Sequence, residues 1–433
     1  MVILSLIMFP FDPEALAGRV VELESWRRQL DQRTLVRSWE GRLRRDLEAS
    51  AVAGSTGLEG VPVTADEVRR ILAGDRPATV STGNADLVRG YRDAMTFVLH
   101  RADDPAFQWS RELIVGLQHR ILAGKYELGA GRLRQGQVDI VNSGTGARVF
   151  VPAPPARVAA LVDRALEEVA TVDWHPAVKA GWIHVALAAI HPFRDGNGRT
   201  ARVAASLAMF RGGFRRPEFC SLEEWWGTHP ADYYSAFNCL GAEFDEGADV
   251  TEFLSAHVAA QVSQVQALDR EEQIGRILWI ALENLCVDVR LPSRLANALY
   301  DAFHEREVTA PYYRELADVS AATATSDLQA ALAAELLAPV GERRWRKYRV
   351  GPRLYERVRD VLGLSVSPPE PATRFSIIND IARGLRATQG ITVGATLRIA
   401  EASPSTRVVA WAPPTEIVSV TQGIATPSRS RTH

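Results

Sequence analysis

Cysteine is scarce in this chain of 433 residues: Cys220, Cys239 and Cys286 lie far apart, with no Cys-x-x-Cys spacing. That argues against a disulfide framework or a thiolate metal site and fits a reducing, cytoplasmic setting. Net charge is nearly absent as well, at −2, so the chain as a whole has no pull toward nucleic acid or an anionic membrane. Long apolar runs are missing, and no stretch of transmembrane length is free of charges. The apolar opening, residues 1–10, is too short to span a bilayer and lacks both a basic n-region and a small-residue cleavage site. Reading Met8 as the initiator accounts for it. A soluble protein with no membrane partner is expected, and no internal repeats are visible.

What is present is globular composition, 46% hydrophobic and 24% charged, enough for sizeable cores. The length implies two or three domains. The chain reads as mainly helical to about residue 270. Residues 16–47 carry helical periodicity with many arginines, among them Arg27, Arg28, Arg33, Arg37, Arg42, Arg44 and Arg45, which suits a solvated helix face. A glycine-containing break at 55–60 precedes a capped helix start, with Thr64 as N-cap and Glu67 three residues on. Further helices are predicted over 84–101 and 105–124. Glycines then punctuate short alternating runs at 137–141 and 147–151, which is hairpin character. Pro152, Pro154 and Pro155 end it and launch a helix through Glu168. Residues 176–190 are apolar on almost every side and predict a centrally buried helix, with another apolar helix over 200–210.

Between those two helices stands His-Pro-Phe-Arg-Asp-Gly-Asn-Gly-Arg-Thr-Ala-Arg, residues 191–202. Gly196 and Gly198 leave room for backbone N–H groups to converge, and the following helix adds its positive end, which makes a nest for phosphate oxygens. Arg199 and Arg202, three apart, suit phosphate gripping, with surface salt bridging as the bland alternative. Asp195 reads either as a ligand for a hard ion such as Mg²⁺, shared with substrate phosphates, or as a helix N-cap. Asn197 can cap or donate to a phosphate. His191 is the natural general base. Arg194 reads as a solvated loop residue, His184 as a structural histidine and Phe193 as a core anchor.

This run resembles the signature HxFx(D/E)GNGRxxR of the Fic family at every defining position, and the likeness covers roughly residues 50–260. The resemblance implies a mainly α, Fic-type helical core with a β-hairpin flap, and a protein adenylyltransferase that moves AMP from ATP to a Ser, Thr or Tyr hydroxyl of a target. By the same analogy His191 takes the hydroxyl proton and Asp195 holds Mg²⁺ between the α- and β-phosphates. Gly196, Asn197 and Gly198 line the anion hole, and Arg199 and Arg202 contact the outer phosphates. Tyr233 and Tyr234 resemble a segment found near the nucleotide base in relatives. The flap, at about 133–151, aligns a target by strand addition. Gly198 favours AMP transfer, since the Doc-type kinases carry lysine there. Residues 55–60 fit the family's inhibitory pattern (S/T)xxxE(G/N), with Ser55 and Glu59 at its defining positions, so Glu59 is expected to pair with Arg202. Self-modification and a homodimer remain open.

From about residue 272 the texture changes. Helices over 291–306, 311–319 and 320–337, then a short hairpin over 339–350, resemble a winged helix-turn-helix. Arg343, Arg344, Arg346 and Lys347 fall in its wing, but the candidate recognition helix carries no basic residue. DNA contact is left open, and a partner-binding or packing role is favoured. The expected division is 1–83 (N-terminal helical region with the inhibitory motif), 84–270 (Fic core), 272–364 (winged-helix-like α+β module) and 365–433 (linker and tail). A linker is read at 365–371, a helical stretch at 377–387, weak strands at 391–399 and 407–411, and a disordered end at 426–433. Two rival functions stand beside transferase: a DNA-binding regulator with a vestigial Fic domain, and removal of AMP from modified proteins with Glu59 orienting water.

Overall fold

The computed structural model describes residues 7–32, 37–142, 145–215, 222–341, 346–364, 372–389 and 417–421. In chain order the elements are α1 (Glu14–Asp31), α2 (Arg37–Gly57), α3 (Ala65–Leu72), α4 (Thr82–Ala102), α5 (Arg111–Ile121), β1 (Val138–Asn142), β2 (Arg148–Phe150), α6 (Val158–Thr171), α7 (Pro176–Ile190) and α8 (Asn197–Arg211). There follow α9 (Leu222–Thr228), α10 (Pro230–Ser235), α11 (Thr251–Asp288), α12 (Ala296–Phe303), β3 (Val308–Thr309), α13 (Ala310–Ala317), α14 (Ala321–Ala333), β4 (Leu337–Val340), β5 (Lys347–Val350), α15 (Leu354–Val361), α16 (Arg374–Gln389) and β6 (Ile417–Thr421). Among the described residues the fold is mainly α, with two small antiparallel sheets. The expected linker at 365–371, the strands at 391–399 and 407–411, the end at 426–433 and the wing residues Arg343 and Arg344 lie outside the described residues.

Local chemistry explains the helix starts. Thr64 and Glu67 cap α3 reciprocally: the Glu67 N–H donates to Thr64 Oγ1 at 3.2 Å and the Thr64 N–H donates to Glu67 Oε2 at 2.8 Å. Pro176 opens α7, whose missing N–H costs nothing in the first turn. With no polar face, α7 can sit only inside the molecule. It packs along α8, and Trp182, Ile183, Phe193 and Phe210 are all buried in the main core.

The break expected at 55–60 is confined to residues 58–60. Helix α2 runs on to Gly57, carrying Ser55 within it, and Glu59 follows in a turn. Helix α2 lies directly on α9. A Cβ at Gly54 would collide with the Glu223 carbonyl, and one at Gly227 would meet the Gly54 backbone.

The division expected near residues 270–272 falls inside α11, a helix of 38 residues that is unbroken there. Its first half packs on α7 in the main core. Its second half sends Leu278, Trp279, Leu282 and Leu285 into a second core with Leu299, Phe303, Tyr313, Leu328 and Leu354. In that second core the order is helix, strand, helix, helix, strand, strand, with β5 between β3 and β4. Asp327 of α14 is buried there, held by Arg294 at 2.7 and 2.9 Å and by the Tyr313 hydroxyl at 2.8 Å.

The other sheet has the order β2-β1-β6. The β1–β2 hairpin is fixed at its base by Arg134. Its buried guanidinium donates to the carbonyls of His191 (2.7 Å), Gly136 (3.0 Å), Ile190 (3.3 Å) and Ala153. One side chain thus locks the hairpin to the end of α7.

Gly54→Ala should overpack the α2–α9 contact and destabilise the fold by about 1–3 kcal/mol, whereas Gly57→Ala, which meets open space, should not. Thermal unfolding of the two variants checks this; equal melting temperatures would contradict the close packing.

Candidate active site

Helix α7 ends at His191, which adopts the left-handed conformation (φ 52°, ψ 61°). Three hydrogen bonds hold it there. Its N–H donates to Leu187 O at 2.9 Å, its carbonyl accepts from Arg134 Nε at 2.7 Å, and its ring Nδ1 lies 3.3 Å from Ala188 O. A carbonyl only accepts, so Nδ1 carries the proton and Nε2 is the basic atom. Burial of the ring, with the Arg134 charge adding to it, pulls the His191 pKa down to about 4.

The loop closes on itself before α8 begins. The Asn197 carboxamide accepts from the Phe193 N–H at 2.8 Å and donates to the Phe193 carbonyl at 2.9 Å. The sequence reading offered Asn197 as a helix cap or a phosphate donor; its side chain instead closes the loop onto the Phe193 backbone. Gly196, at φ 81°, occupies the N-cap position, where a side chain would be strained. The amides that open α8 have no acceptor within their helix and sit at its positive end. Phe193 is fully buried, Arg194 is exposed, and His184 is buried, as the sequence predicted.

Asp195 Oδ1 accepts from the Gly196 N–H at 2.5 Å and pairs with Arg199 Nη2 at 3.1 Å. Among the described residues no group of three or more His, Cys, Asp or Glu could hold a metal ion. A single partly exposed carboxylate is nevertheless the donor set that suits a hard ion taking its other ligands from phosphates and water. Arg199 is buried, and among the described residues its Nε and Nη1 have no hydrogen-bond partner. Buried donors of that kind carry a large desolvation cost unless an anion meets them.

Arg202 is buried but fully engaged. Its Nε donates to Ser55 Oγ and its Nη2 to the Ser55 carbonyl, both at 2.9 Å; Nη1 donates to the Tyr233 hydroxyl at 2.9 Å, and Nη2 pairs with Glu59 at 3.0 Å. Burial pushes the Glu59 carboxyl up, but the Arg202 and Arg199 charges outweigh it and hold its pKa below the ordinary carboxylate range. Only glycine at 198 leaves room for this arrangement, because a Cβ there would collide with Glu59 Oε1. The Tyr233 hydroxyl also meets His184 Nε2 at 3.1 Å, and the Tyr234 hydroxyl donates to the Leu58 carbonyl at 2.7 Å.

Most of the predicted residues line one cavity of about 300 Å³; Ser55, Arg199 and Arg202 are not part of its lining. His191, Asp195, residues 196–198, Glu59, Tyr233, Tyr234, Phe237 and Asn238 line it, together with Ile140, Val149 and Phe150 of the hairpin. A larger hollow of about 730 Å³, bordered by Trp109, Trp174 and Arg211, contains none of the residues predicted for the site. Sequence reasoning missed Arg134, which no periodicity marks. It also missed Phe237 and Asn238, which follow Tyr234 at spacings of three and four residues that place side chains on one helical face.

Residues 108–209 match the Fic/DOC family. Over those residues the chain is similar to that family. Curated proteins similar to it include the protein adenylyltransferase fic-1 of Caenorhabditis briggsae, 35% identical over 105 residues, which are 23% of this chain and 19% of that protein. The protein adenylyltransferase Fic of Nematostella vectensis is 28% identical over 236 residues, 47% of this chain and 51% of its own. The chain therefore spans about a fifth to a half of the length of these relatives. In fold it is similar to a Fic family protein from Desulfovibrio desulfuricans G20, with 20% identity and a TM-score of 0.52 over 80% of this chain and 98% of that one.

Because the His191 pKa is about 4, its ring should remain neutral from pH 8 down to about pH 5. Imidazole ¹⁵N shifts check this, and a midpoint near the ordinary value of about 6.5 would contradict it. The unfolded chain takes up histidine protons below about pH 6.5 and the folded one does not, so stability should fall on acidification through that window, by about 1.4 kcal/mol per pH unit per buried histidine. His257, pulled down to about 3 by burial, acts in the same sense.

Proposed function

We propose that the chain is a protein adenylyltransferase that moves AMP from ATP to a Ser, Thr or Tyr hydroxyl of a target protein, and that Glu59 holds it in an inhibited state. One observation carries the reading: a single cavity gathers a neutral histidine, a carboxylate and the open end of a helix, beside a buried arginine with two unmatched donors. The name shared by the curated relatives, protein adenylyltransferase, supports it.

His191 Nε2 takes the proton of the target hydroxyl, whose oxygen attacks the α-phosphate of ATP while pyrophosphate leaves. The amides of residues 196–198 and the two donors of Arg199 hold phosphate oxygens. Asp195 is the residue that would hold Mg²⁺, an ion that supplies neutralisation of phosphate charge. Tyr233, Tyr234, Phe237 and Asn238 form the end of the cavity that takes the base. The hairpin serves as the flap on which a target strand docks. Glu59 occupies the Arg202 donor that an outer phosphate needs, and transfer waits on its release. The site is placed in a cytoplasmic protein; the module around α12–β5 is assigned a winged-helix-like, partner-binding or packing role.

Incubation with ATP labelled at the α-phosphate, with and without Mg²⁺, tests this. His191→Ala should lower transfer by roughly 10²–10⁴-fold while ATP binding persists; undiminished labelling would refute the base. Glu59→Gly should raise self-labelling, and Asp195→Ala should lose Mg²⁺-dependent turnover. Release of AMP from a modified protein by the wild type, lost in the Glu59 variant, would instead favour the hydrolytic reading. Tight, salt-sensitive binding to random duplex DNA without any transfer would favour the regulator.

A further inference from the structure

Helices α9 and α11 pack together around a second, much smaller cavity, about 20 Å³ in volume, which Arg202 lines from α8. Four of its lining residues carry polar atoms that have no hydrogen-bond partner among the described residues. These are Glu223 Oε2 and Trp226 Nε1 on α9, and Gln261 Oε1 and both ring nitrogens of His257 on α11. All four side chains are buried. The Glu223 carboxyl is oriented by its other oxygen, which accepts from the Tyr91 hydroxyl and from Ser206 Oγ, both at 3.1 Å. A buried polar atom left unmatched is costly, and a group of them around one hollow calls for a shared partner. The chemistry of the set selects that partner. Trp226 offers an N–H, and His257, kept neutral by burial that pulls its pKa down to about 3, offers another. Glu223 Oε2 and Gln261 Oε1 are acceptors. A cation would meet two N–H groups and the Arg202 guanidinium, and an anion would meet a carboxylate. Water can accept twice and donate twice, and a volume of about 20 Å³ holds one molecule of it.

We propose that this cavity binds one buried water molecule, which accepts from Trp226 and His257, donates to Glu223 and Gln261, and so positions the Trp226 ring beside the Glu59–Arg202 pair. Trp226 packs in a small cluster with Leu58 and Tyr233, its ring centroid 5.4 Å from that of Tyr233. Leu58 is the chain neighbour of Glu59, and the Tyr233 hydroxyl accepts from Arg202. The water thus ties α9 to α11, and the indole it holds supports both partners of the ion pair. Gln261 acts at one remove, as a positioning residue: it meets the water and does not line the larger cavity. The effect on Glu59 rests on the reading above that its carboxylate competes with a nucleotide phosphate for Arg202. The water site itself does not.

Crystals of the full-length protein that diffract well enough to show ordered solvent test the site. One water should lie within hydrogen-bond distance of Trp226 Nε1, Glu223 Oε2, Gln261 Oε1 and a His257 nitrogen. Direct pairing of these groups with one another, or a metal or halide ion among them, overturns the site. In solution, magnetisation should pass from water to the Trp226 indole proton, assigned with Trp226→Phe, and absence of transfer overturns it too. Calorimetry with ATP and Mg²⁺ tests the positioning role. Gln261→Leu, or Gln261→Met, removes one acceptor of the water. Either should tighten ATP binding by roughly 2–10-fold, the worth of one hydrogen bond, and should change nothing when Glu59→Gly is already present. An equal change in both backgrounds, or none in either, overturns the positioning role. If Glu59→Gly by itself leaves ATP binding unaltered, the competition reading falls and the positioning role with it, while the water site stands or falls on the density.

Discussion

A guanidinium buried in a protein core has to be met by acceptors, and the arrangement of this site follows from how Arg202 is met. Ser55, Tyr233 and Glu59 surround it, drawn from α2, α10 and the turn after α2, and of these only Glu59 brings a full negative charge. Losing that charge without a substitute would leave an uncompensated ion inside the protein. A phosphate oxygen is such a substitute. The same requirement that fastens α2 to the core therefore allows one anion to be exchanged for another.

The proposed exchange requires surroundings that are held in place. Gly54 lets α2 lie on α9, and the missing side chain at Gly198 lets Glu59 reach across the first turn of α8. On the other side of the loop, Arg134 ties the His191 carbonyl to the base of the hairpin, and Asn197 staples the loop through Phe193. His191, the first turn of α8 and the hairpin are thus tied into one joint between α7 and α8. The Tyr233 hydroxyl, between Arg202 and the neutral His184, extends that joint into the core.

Much of this was legible because it depends on short-range rules. A helix apolar on every side must be buried, a Thr and a Glu three apart cap a helix, and glycines around Asn197 mark a turn into a helix N-terminus. The pairing of Glu59 with Arg202 was readable only through a motif, since the two residues are far apart in the chain. Other features depend on distant partners and left no local sign. Gly57 suggested an early break, yet a glycine there closes α2 after Ser55 has been carried in. The unbroken α11 hides the change of core that composition placed at 270–272. Strand β6 gains its meaning from β1, far away in the sequence, and the unmatched donors of Arg199 exist only once the core has closed around them.

The central claim is that one seat on Arg202 serves either the Glu59 carboxylate or the outermost phosphate of the nucleotide. Calorimetric binding of ATP and of ADP to the wild type and to the Glu59→Gly protein, with Mg²⁺ present, tests it most directly. The preference for ATP over ADP should rise when the carboxylate is gone, because only ATP carries the extra phosphate that fills the vacated seat. An unchanged preference would contradict the account.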